Sequence, residues 1–331
     1  GHSPHSGDEP NGILIATQGV PVVADGFNGA QIYALPKLAL ASGAASVQVV
    51  HFDTNDYLLL PDGTPGFTVW PAISPAGSAS TDNGGTEYLL SSQAVFNDSG
   101  ADNRLRVWAL THTSSLNAAV PTVQFVDGVV NTQAYAVPPK SDQKAGNFPL
   151  GQCINDTTMA TPFGPGCWQF LFFDEPAHDE VISHPDSNDS RMQQVSFANG
   201  KLWGALDTAV NMGGADKAGI AYFVLIPQLS GSSINAKMVV QGVLGLENNN
   251  LTYPTIAVLP NGRGVMGFTV MGQDYYPSAG FASLDAKVGA ADIQFAAVGA
   301  GPHEGFTGNK AYVGDPPRTR GRPRARPGRA A

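Results

Sequence analysis

An Asn-Gly dipeptide recurs in each of four predicted hairpins along this chain, at positions 11–12, 83–84, 199–200 and 261–262. Asn-Gly accepts the positive φ angles of a type I′ hairpin turn, and short runs of β-forming residues flank each dipeptide. Four turns of one predicted type at equivalent places indicate an internal repeat. The sequence therefore predicts a chain built of repeated copies of one β-hairpin-based unit.

The clearest copy of that unit spans residues 191–240. Two short strands flank Asn199-Gly200, and two more follow a Gly-rich loop and a Ser/Gly loop. This pattern predicts a four-stranded antiparallel meander of about the size of one propeller blade. We expect an all-β protein, either a β-propeller or a partial propeller. Four recognisable blades are predicted at 1–69, 70–139, 191–247 and 253–300, with an inserted loop at 140–190 and the start of a further blade at 301–317.

Composition agrees with a loop-rich β-protein, since the chain has 39 Gly, 25 Pro and only 14% charged residues. No convincing amphipathic helix is predicted. Residues 30–45, AQIYALPKLALASGAA, have some helical spacing, but Pro36 interrupts it and favours a strand. No apolar run is long enough for a membrane span.

Charge is distributed unevenly along the chain. Six of the 18 basic residues are arginines within 318–331, and residues 321–331 contain only Gly, Arg, Pro and Ala. This composition predicts a disordered tail or a sequence artefact; the alternative is a basic arm for nucleic acid or acidic surfaces. The remaining residues carry 12 basic against 27 acidic groups, a net charge of −15. Nucleic acid is therefore not an expected partner of the folded body.

Two cysteines, Cys153 and Cys167, lie in the inserted loop. A disulfide between them would constrain the unfolded chain and would indicate an exported protein; the alternative is a pair of free thiols. The N-terminus lacks the features of a signal peptide, so the chain is expected to be a mature form or a fragment. Extracellular or periplasmic localisation follows from the disulfide interpretation.

The residues at the predicted starts of the blades resemble those of a known family. Trp70-Pro71-Ala72-Ile73 and Tyr253-Pro254-Thr255-Ile256, with DSRMQQVSFANGKLWGAL at the equivalent point of the third blade, resemble exported bacterial β-propeller proteins of uncharacterised function that are distantly sialidase-like. The likeness covers residues 1 to about 317. It implies a larger propeller of about six to eight blades, of which this chain would be a truncated part.

The sialidase mechanism itself is not expected here. It requires an arginine cluster, a Tyr/Glu nucleophile pair and an acidic proton donor, whereas the body has only Arg104, Arg106, Arg191 and Arg263. The segment 80–86 matches the first part of a sialidase Asp-box, but that box is a structural turn. No serine-elbow, phosphate-loop or zinc-helix motif occurs. The sequence therefore identifies no catalytic residue.

Arg191 is the main candidate for ligand binding because it lies at the predicted start of an innermost strand, where Trp70 and Tyr253 lie in other blades. Asp189, with Glu87 and Tyr253 as more distant companions, would complete a polar floor for a sugar or carboxylate ligand. The alternative is an ion pair between Arg191 and a carboxylate that joins neighbouring blades.

The end of the inserted loop suggests a second kind of site. Its residues 174–189 are rich in carboxylates, and Asp186, Asn188 and Asp189 offer alternating oxygen ligands that suit Ca²⁺. The segment lacks the glycine and the final glutamate of an EF-hand, and His178 and His184 do not have a zinc spacing. The alternative is a solvated acidic loop.

These features predict an exported binding or surface scaffold that engages a glycan or a protein at the channel mouth. The rival is a glycoside hydrolase or lyase with a carboxylate pair at the channel. The sequence leaves oligomeric state open.

Overall fold

The computed structural model describes residues 4–19, 29–57, 66–93, 100–144, 160–161, 164–165 and 184–303. In this part of the chain almost all regular structure is β-strand, and the strands form antiparallel sheets. The all-β prediction is confirmed. Both cysteines, most of the inserted loop and the basic tail lie outside the described residues. No described helix is long and apolar enough to cross a membrane.

Sheet I contains four antiparallel strands in chain order: β1 (His5–Asp8), β2 (Gly12–Gln18), β3 (Ala30–Pro36) and β4 (Val50–Asp53). Strands β2 and β3 alternate between buried and half-buried residues along their length. This period of two follows from the opposite directions of successive side chains in a strand. Sheet I therefore has one buried and one partly exposed face.

A short helix, α1 (Lys37–Ala41), follows β3. The strand predicted over 30–45 is therefore correct only as far as Pro36. The fixed φ of proline suits the residue that precedes a helix, and one helical turn is completed after it. Leu38 and Leu40 are 67% and 38% exposed, so this turn buries no apolar side chain.

An eight-stranded sheet follows, and we call its two antiparallel halves sheets II and III. Sheet II contains β5 (Phe67–Ile73), β6 (Thr86–Ser92), β7 (Ala101–Thr111) and β8 (Gln124–Ala136). A two-stranded ribbon, β9 (Ala160–Thr161) and β10 (Gly164–Pro165), follows in the inserted loop. Sheet III contains β11 (Val195–Ala198), β12 (Lys201–Met212), β13 (Ala215–Ser230) and β14 (Ser233–Leu244). Sheet IV contains β15 (Asn249–Val258), β16 (Arg263–Gly272), β17 (Ser278–Asp285), β18 (Gly289–Ala290) and β19 (Gln294–Ala297). Among the described residues, short 3-10 turns at Thr54–Asp56, Asp82–Gly84 and Thr113–Asn117 lie between strands.

The Asn-Gly dipeptides at 11–12, 83–84, 199–200 and 261–262 lie between consecutive antiparallel strands but do not share one turn conformation. Both residues have positive φ at Asn199-Gly200 (51° and 67°) and at Asn83-Gly84 (49° and 71°), as a type I′ turn requires. Only the glycine does so at 261–262, and neither residue does so at 11–12. The prediction of one shared turn type is wrong, because Asn-Gly permits positive φ without imposing it.

Consecutive sheets pack face to face through three apolar cores. One lies between sheets I and II, where Ala16 and Ile32 meet Trp108 and Phe125. The second lies between sheets II and III, and the third between sheets III and IV. Each of the two middle sheets is therefore buried on both faces, as a stack of repeats requires.

The first strands of the four sheets lie side by side. Strand β1 contacts β5, β5 pairs in parallel with β11, and β11 contacts β15. The parallel pair joins Val195 to Ala72 and Ser196 to Ile73. This arrangement brings the starts of β5, β11 and β15 together at one end of the fold.

Candidate functional site

Two of the first strands, β5 and β15, each contain a strained backbone position. Thr68 in β5 has φ 51° and Tyr253 in β15 has φ 56°, each within a β-bulge that shifts the pairing register by one residue. Such angles are unfavourable for residues with a Cβ, and especially for β-branched or bulky ones. Strained residues of this kind cluster at functional sites, which makes this end of the sheets the first place to look for one.

Arg191 lies between these positions, just before β11, and its partner is local. The guanidinium donates two hydrogen bonds to the carboxylate of Asp189, from Nε to Oδ1 at 2.7 Å and from a terminal nitrogen to Oδ2 at 2.5 Å. The backbone N–H of Arg191 also donates to Asp189 Oδ1, at 2.9 Å. The carboxylate therefore belongs to the same segment, and this ion pair does not join two sheets.

Arg191 nevertheless remains accessible. Its side chain is 28% exposed and that of Asp189 is 21% exposed. The guanidinium carbon lies 5.1 Å from the ring centroid of Phe67 in β5, a cation–π distance. Burial lowers the pKa of Arg191, but the hydrogen bond and charge of Asp189 outweigh it and raise that pKa overall. The Arg191 guanidinium is thus a half-exposed, permanently charged hydrogen-bond donor whose position is fixed by Asp189.

His5 and Trp70 form the aromatic side of the same region. Their rings stack with centroids 3.7 Å apart and planes inclined by 25°. Burial, together with the positive charge of Arg191, lowers the pKa of His5 to about 4. His5 is therefore neutral at pH 7 and covers one face of Trp70.

Asp207 in β12 holds the bulge of sheet IV. It is fully buried, and its Oδ1 accepts the backbone N–H of Tyr253 at 2.7 Å. Burial raises the pKa of Asp207 well above its ordinary range, and the charges of Asp189 and Asp186 add to this, while hydrogen bonds from Tyr253 and Asn188 act against it. An equivalent contact holds the bulge of sheet II, where the Gln18 amide donates to the Thr68 hydroxyl at 2.6 Å.

Tyr253 lies beside this group of carboxylates. Burial raises the pKa of its hydroxyl, and the charges of Asp186, Asp207 and Asp189 raise it further, while Arg191 opposes them. The phenol is therefore a protonated hydrogen-bond donor at any physiological pH. We define the inner-strand cluster as His5, Phe67, Trp70, Asp186, Asn188, Asp189, Arg191, Asp207 and Tyr253.

The segment that carries Arg191 is fixed by contacts with residues 141–144. Ser141 and Ser187 share a hydrogen bond of 2.8 Å, and the Ser141 N–H donates to the carbonyl of Pro185 at 3.0 Å. Asp142 accepts a hydrogen bond of 2.5 Å from the nearly buried Lys217 of β13. The two ends of the inserted loop thus meet, which holds the cluster residues in place without regular secondary structure.

Glu87 is a buried carboxylate under β1. It is 2% exposed, and a Cβ at position 7 would lie 2.7 Å from its Oε1 and 2.7 Å from Pro71. Gly7 therefore allows β1 to approach β6 closely over this carboxylate. Glu87 therefore takes part in the packing between sheets I and II.

The other arginines are engaged elsewhere. Arg106 is fully buried and lies 3.4 Å from Asp127. Arg104 pairs with Asp102 at 2.6 Å, and Arg263 is exposed at the start of β16. The described residues therefore contain no arginine cluster at the inner-strand cluster.

The predicted calcium ligands have other hydrogen-bonding roles in this structure. Asp186 Oδ1 accepts the backbone N–H of Asn188 at 2.8 Å, Asn188 has φ 63°, and Asp189 binds Arg191. In the part of the chain that the structure describes, no three His, Cys, Asp or Glu side chains are placed to hold a metal ion. The calcium site stays a prediction.

Sequence reasoning missed His5, Phe67 and Asp207. A carboxylate in the apolar strand WGALDTAV was a visible signal for Asp207, since a buried acid requires a specific partner. His5 and Phe67 gave no comparable signal, because they reach the cluster only through the packing of β1 and β5 on the strands beside them.

Comparisons with known proteins give no family. No protein-family model and no curated protein matches this chain. A protein of unknown function from Dyadobacter fermentans is similar in structure with a TM-score of 0.33 and 10% identity, covering 88% of this chain and 68% of that one. A variant of the Synechocystis apocarotenoid oxygenase has a TM-score of 0.21 and 10% identity, covering 90% and 72%. TM-scores this low do not support an argument about function.

Proposed function

We propose that this chain is an exported, propeller-type scaffold that binds a carbohydrate at the inner-strand cluster. The four sheets would be its blades, and the first strands would line the channel. The lateral contacts of β1, β5, β11 and β15 and the three successive face-to-face cores support this arrangement. The distant resemblance to exported sialidase-like propellers supports the choice of ligand.

The observation that carries the binding role is the pairing of Arg191 and Asp189 at a half-exposed position beside Tyr253. A rigid guanidinium–carboxylate fork presents fixed donors and acceptors, and the phenol and the rings of Phe67 and Trp70 add apolar surface. Sugar hydroxyls form hydrogen bonds with planar polar groups of this kind. Contacts that hold Tyr253 at its strained φ, such as the hydrogen bond to Asp207, keep this residue in position before a ligand arrives.

The test begins with an immobilised set of neutral, sialylated and uronate-containing oligosaccharides, followed by calorimetric titration of those that bind. Arg191→Met removes charge-assisted hydrogen bonds of about 1.5–3 kcal/mol, so we expect about tenfold to hundredfold weaker binding. Arg263→Met is the matched control, because that arginine is exposed on β16 and should leave affinity unchanged. Absence of any bound glycan, or equal affinity for both variants, would contradict the proposal.

A glycoside hydrolase is the second candidate, and the pKa of Asp207 favours it. A carboxyl group whose pKa is raised beside ionised Asp186 and Asp189 has the electrostatic pattern of a general acid. Asp207 is, however, fully buried and accepts the N–H of Tyr253, which suits a structural role. Release of a fluorophore from reporter glycosides, lost in Asp207→Asn, would establish hydrolysis. Glycan binding that survives this substitution, without turnover, would support the scaffold.

A further inference from the structure

Asp189 occupies one side of the Arg191 guanidinium. It accepts hydrogen bonds from Nε and from one terminal nitrogen, and these are the two donors of a bidentate pair with a carboxylate. A ligand therefore meets only the remaining N–H groups of Arg191, whose positive charge lies beside the negative charge of Asp189. Such donors suit hydroxyl groups, which accept single hydrogen bonds and carry no charge.

Asp186 adds a negative charge that this ion pair does not balance. Its Oδ1 accepts the backbone N–H of Asn188 at 2.8 Å, and among the described residues no lysine or arginine forms an ion pair with it. The carboxylates of Asp186 and Asp189 together outnumber the guanidinium of Arg191. These three side chains therefore carry an excess of negative charge.

The other titratable groups of the inner-strand cluster do not offset this excess. His5 is neutral at pH 7, because burial and Arg191 lower its pKa to about 4. Burial raises the pKa of Asp207 well above its ordinary range, so this carboxyl is either uncharged or adds a further negative charge. After burial, the charge of Asp186 is the largest cause of the raised pKa of Tyr253, and its effect exceeds the opposing effect of Arg191. Negative charge therefore prevails where a ligand would meet the Tyr253 hydroxyl.

The sequence of the inserted loop does not supply a compensating cation. Residues 145–183 contain no lysine or arginine, and their acidic residues are Asp156, Asp174, Glu175, Asp179 and Glu180. The loop can therefore add negative charge to the cluster but no permanent positive charge. The chain up to residue 317 has the same sign, with 12 basic against 27 acidic groups.

We propose that the carbohydrate bound at the inner-strand cluster is a neutral glycan and that Asp186 excludes acidic sugars from it. This inference rests on the proposed carbohydrate-binding function and names the class of its ligand. A sugar carboxylate would lie close to the carboxylates of Asp186 and Asp189, and like charges brought together in a complex weaken it. A neutral sugar can use the remaining N–H groups of Arg191 and the Tyr253 hydroxyl without this repulsion.

Matched pairs of glycans test the charge of the ligand. Sialyllactose and oligogalacturonate are each compared with their methyl esters, which keep the ring stereochemistry but have no negative charge, beside neutral cello- and xylo-oligosaccharides. We expect neutral glycans and esters to bind about tenfold or more tightly than the acids at low salt, and the difference to shrink as salt is added. An acid that binds as tightly as its ester overturns this inference but leaves carbohydrate binding intact. Binding of no glycan overturns both.

Asp186→Asn tests the residue that sets this selectivity. The amide oxygen can still accept the backbone N–H of Asn188, but the charge is gone. The ratio of neutral to acidic affinity should therefore fall by about tenfold in calorimetric titrations. Asp292→Asn is the matched control, because it removes the same charge from an exposed position between β18 and β19 and should leave the ratio unchanged. A ratio that Asp186→Asn does not change, or that both variants change equally, overturns the role of Asp186.

Discussion

Replacing Tyr253 by glycine and by alanine tests whether the bulge of β15 is strained. At an ordinary strand position, glycine is less stable than alanine by about 0.5–1 kcal/mol, because it loses more backbone entropy on folding. At φ 56° the Cβ adds a penalty of about 1–2 kcal/mol that glycine does not have. The order should therefore reverse, with Tyr253→Gly about 0.5–1 kcal/mol more stable than Tyr253→Ala. Both variants lose the same phenol, so its packing cancels from the comparison.

Urea unfolding, analysed by linear extrapolation, measures the two free energies. Ala257 is the control on the same strand, since it is exposed and has no positive φ, and Ala257→Gly should cost about 0.5–1 kcal/mol. The same test applies to Thr68 in β5, which also has a positive φ, so Thr68→Gly should be more stable than Thr68→Ala. If alanine is the more stable residue at position 253 by the margin seen at 257, the strain argument is refuted.

Three further predictions concern buried groups. The pKa of His5 is lowered to about 4, so between about pH 6.5 and 4 its imidazole is protonated in the unfolded state but not in the folded state. The free energy of unfolding should therefore fall by up to about 3 kcal/mol as the pH falls through this range. His5→Gln should remove this pH dependence, as measured by urea unfolding at each pH. The pKa of Asp207 is raised, so its carboxyl group stays protonated in the folded state after it ionises in the unfolded state. The free energy of unfolding should therefore decrease as pH rises above about 4. Asp207→Asn should abolish this decrease, because the amide oxygen can still accept the backbone N–H of Tyr253 but does not titrate. Gly128→Ala should destabilise the fold by roughly 2 kcal/mol or more in thermal melts, because the added Cβ would overlap the backbone carbonyl of Ile234, while Gly301→Ala, which has open space, should be neutral.

Much of the fold could be predicted because its signals are local. The alternation of apolar residues in β2 and β3 and the positive φ of Asn199-Gly200 follow from residues that are neighbours in sequence. The helix of residues 37–41 and the varied Asn-Gly turns were missed, because each depends on the strands it joins. Local pattern limits the conformations that a turn can adopt, and the register of its strands selects one of them.

The candidate site divides in the same way. Arg191 and Asp189 are two residues apart, so their association was open to sequence reasoning. Glu87 was expected as a more distant companion of this pair, and the structure places it under Gly7, between sheets I and II, a position that depends on packing. The contact of His5 with Trp70 and that of Asp207 with Tyr253 each join different sheets. No spacing along the chain encodes such contacts.

By itself, the sequence determined which stretches of this protein form strands, where the strands reverse, and that the folded body carries excess negative charge. These properties depend on side-chain alternation, turn chemistry and a sum of charges, all of which are local or additive. Only the tertiary structure decided which polar groups meet at the starts of the first strands and which of them are charged. Burial sets the pKa of His5 and of Asp207, and burial is a property of the surrounding sheets, which come together from distant parts of the chain.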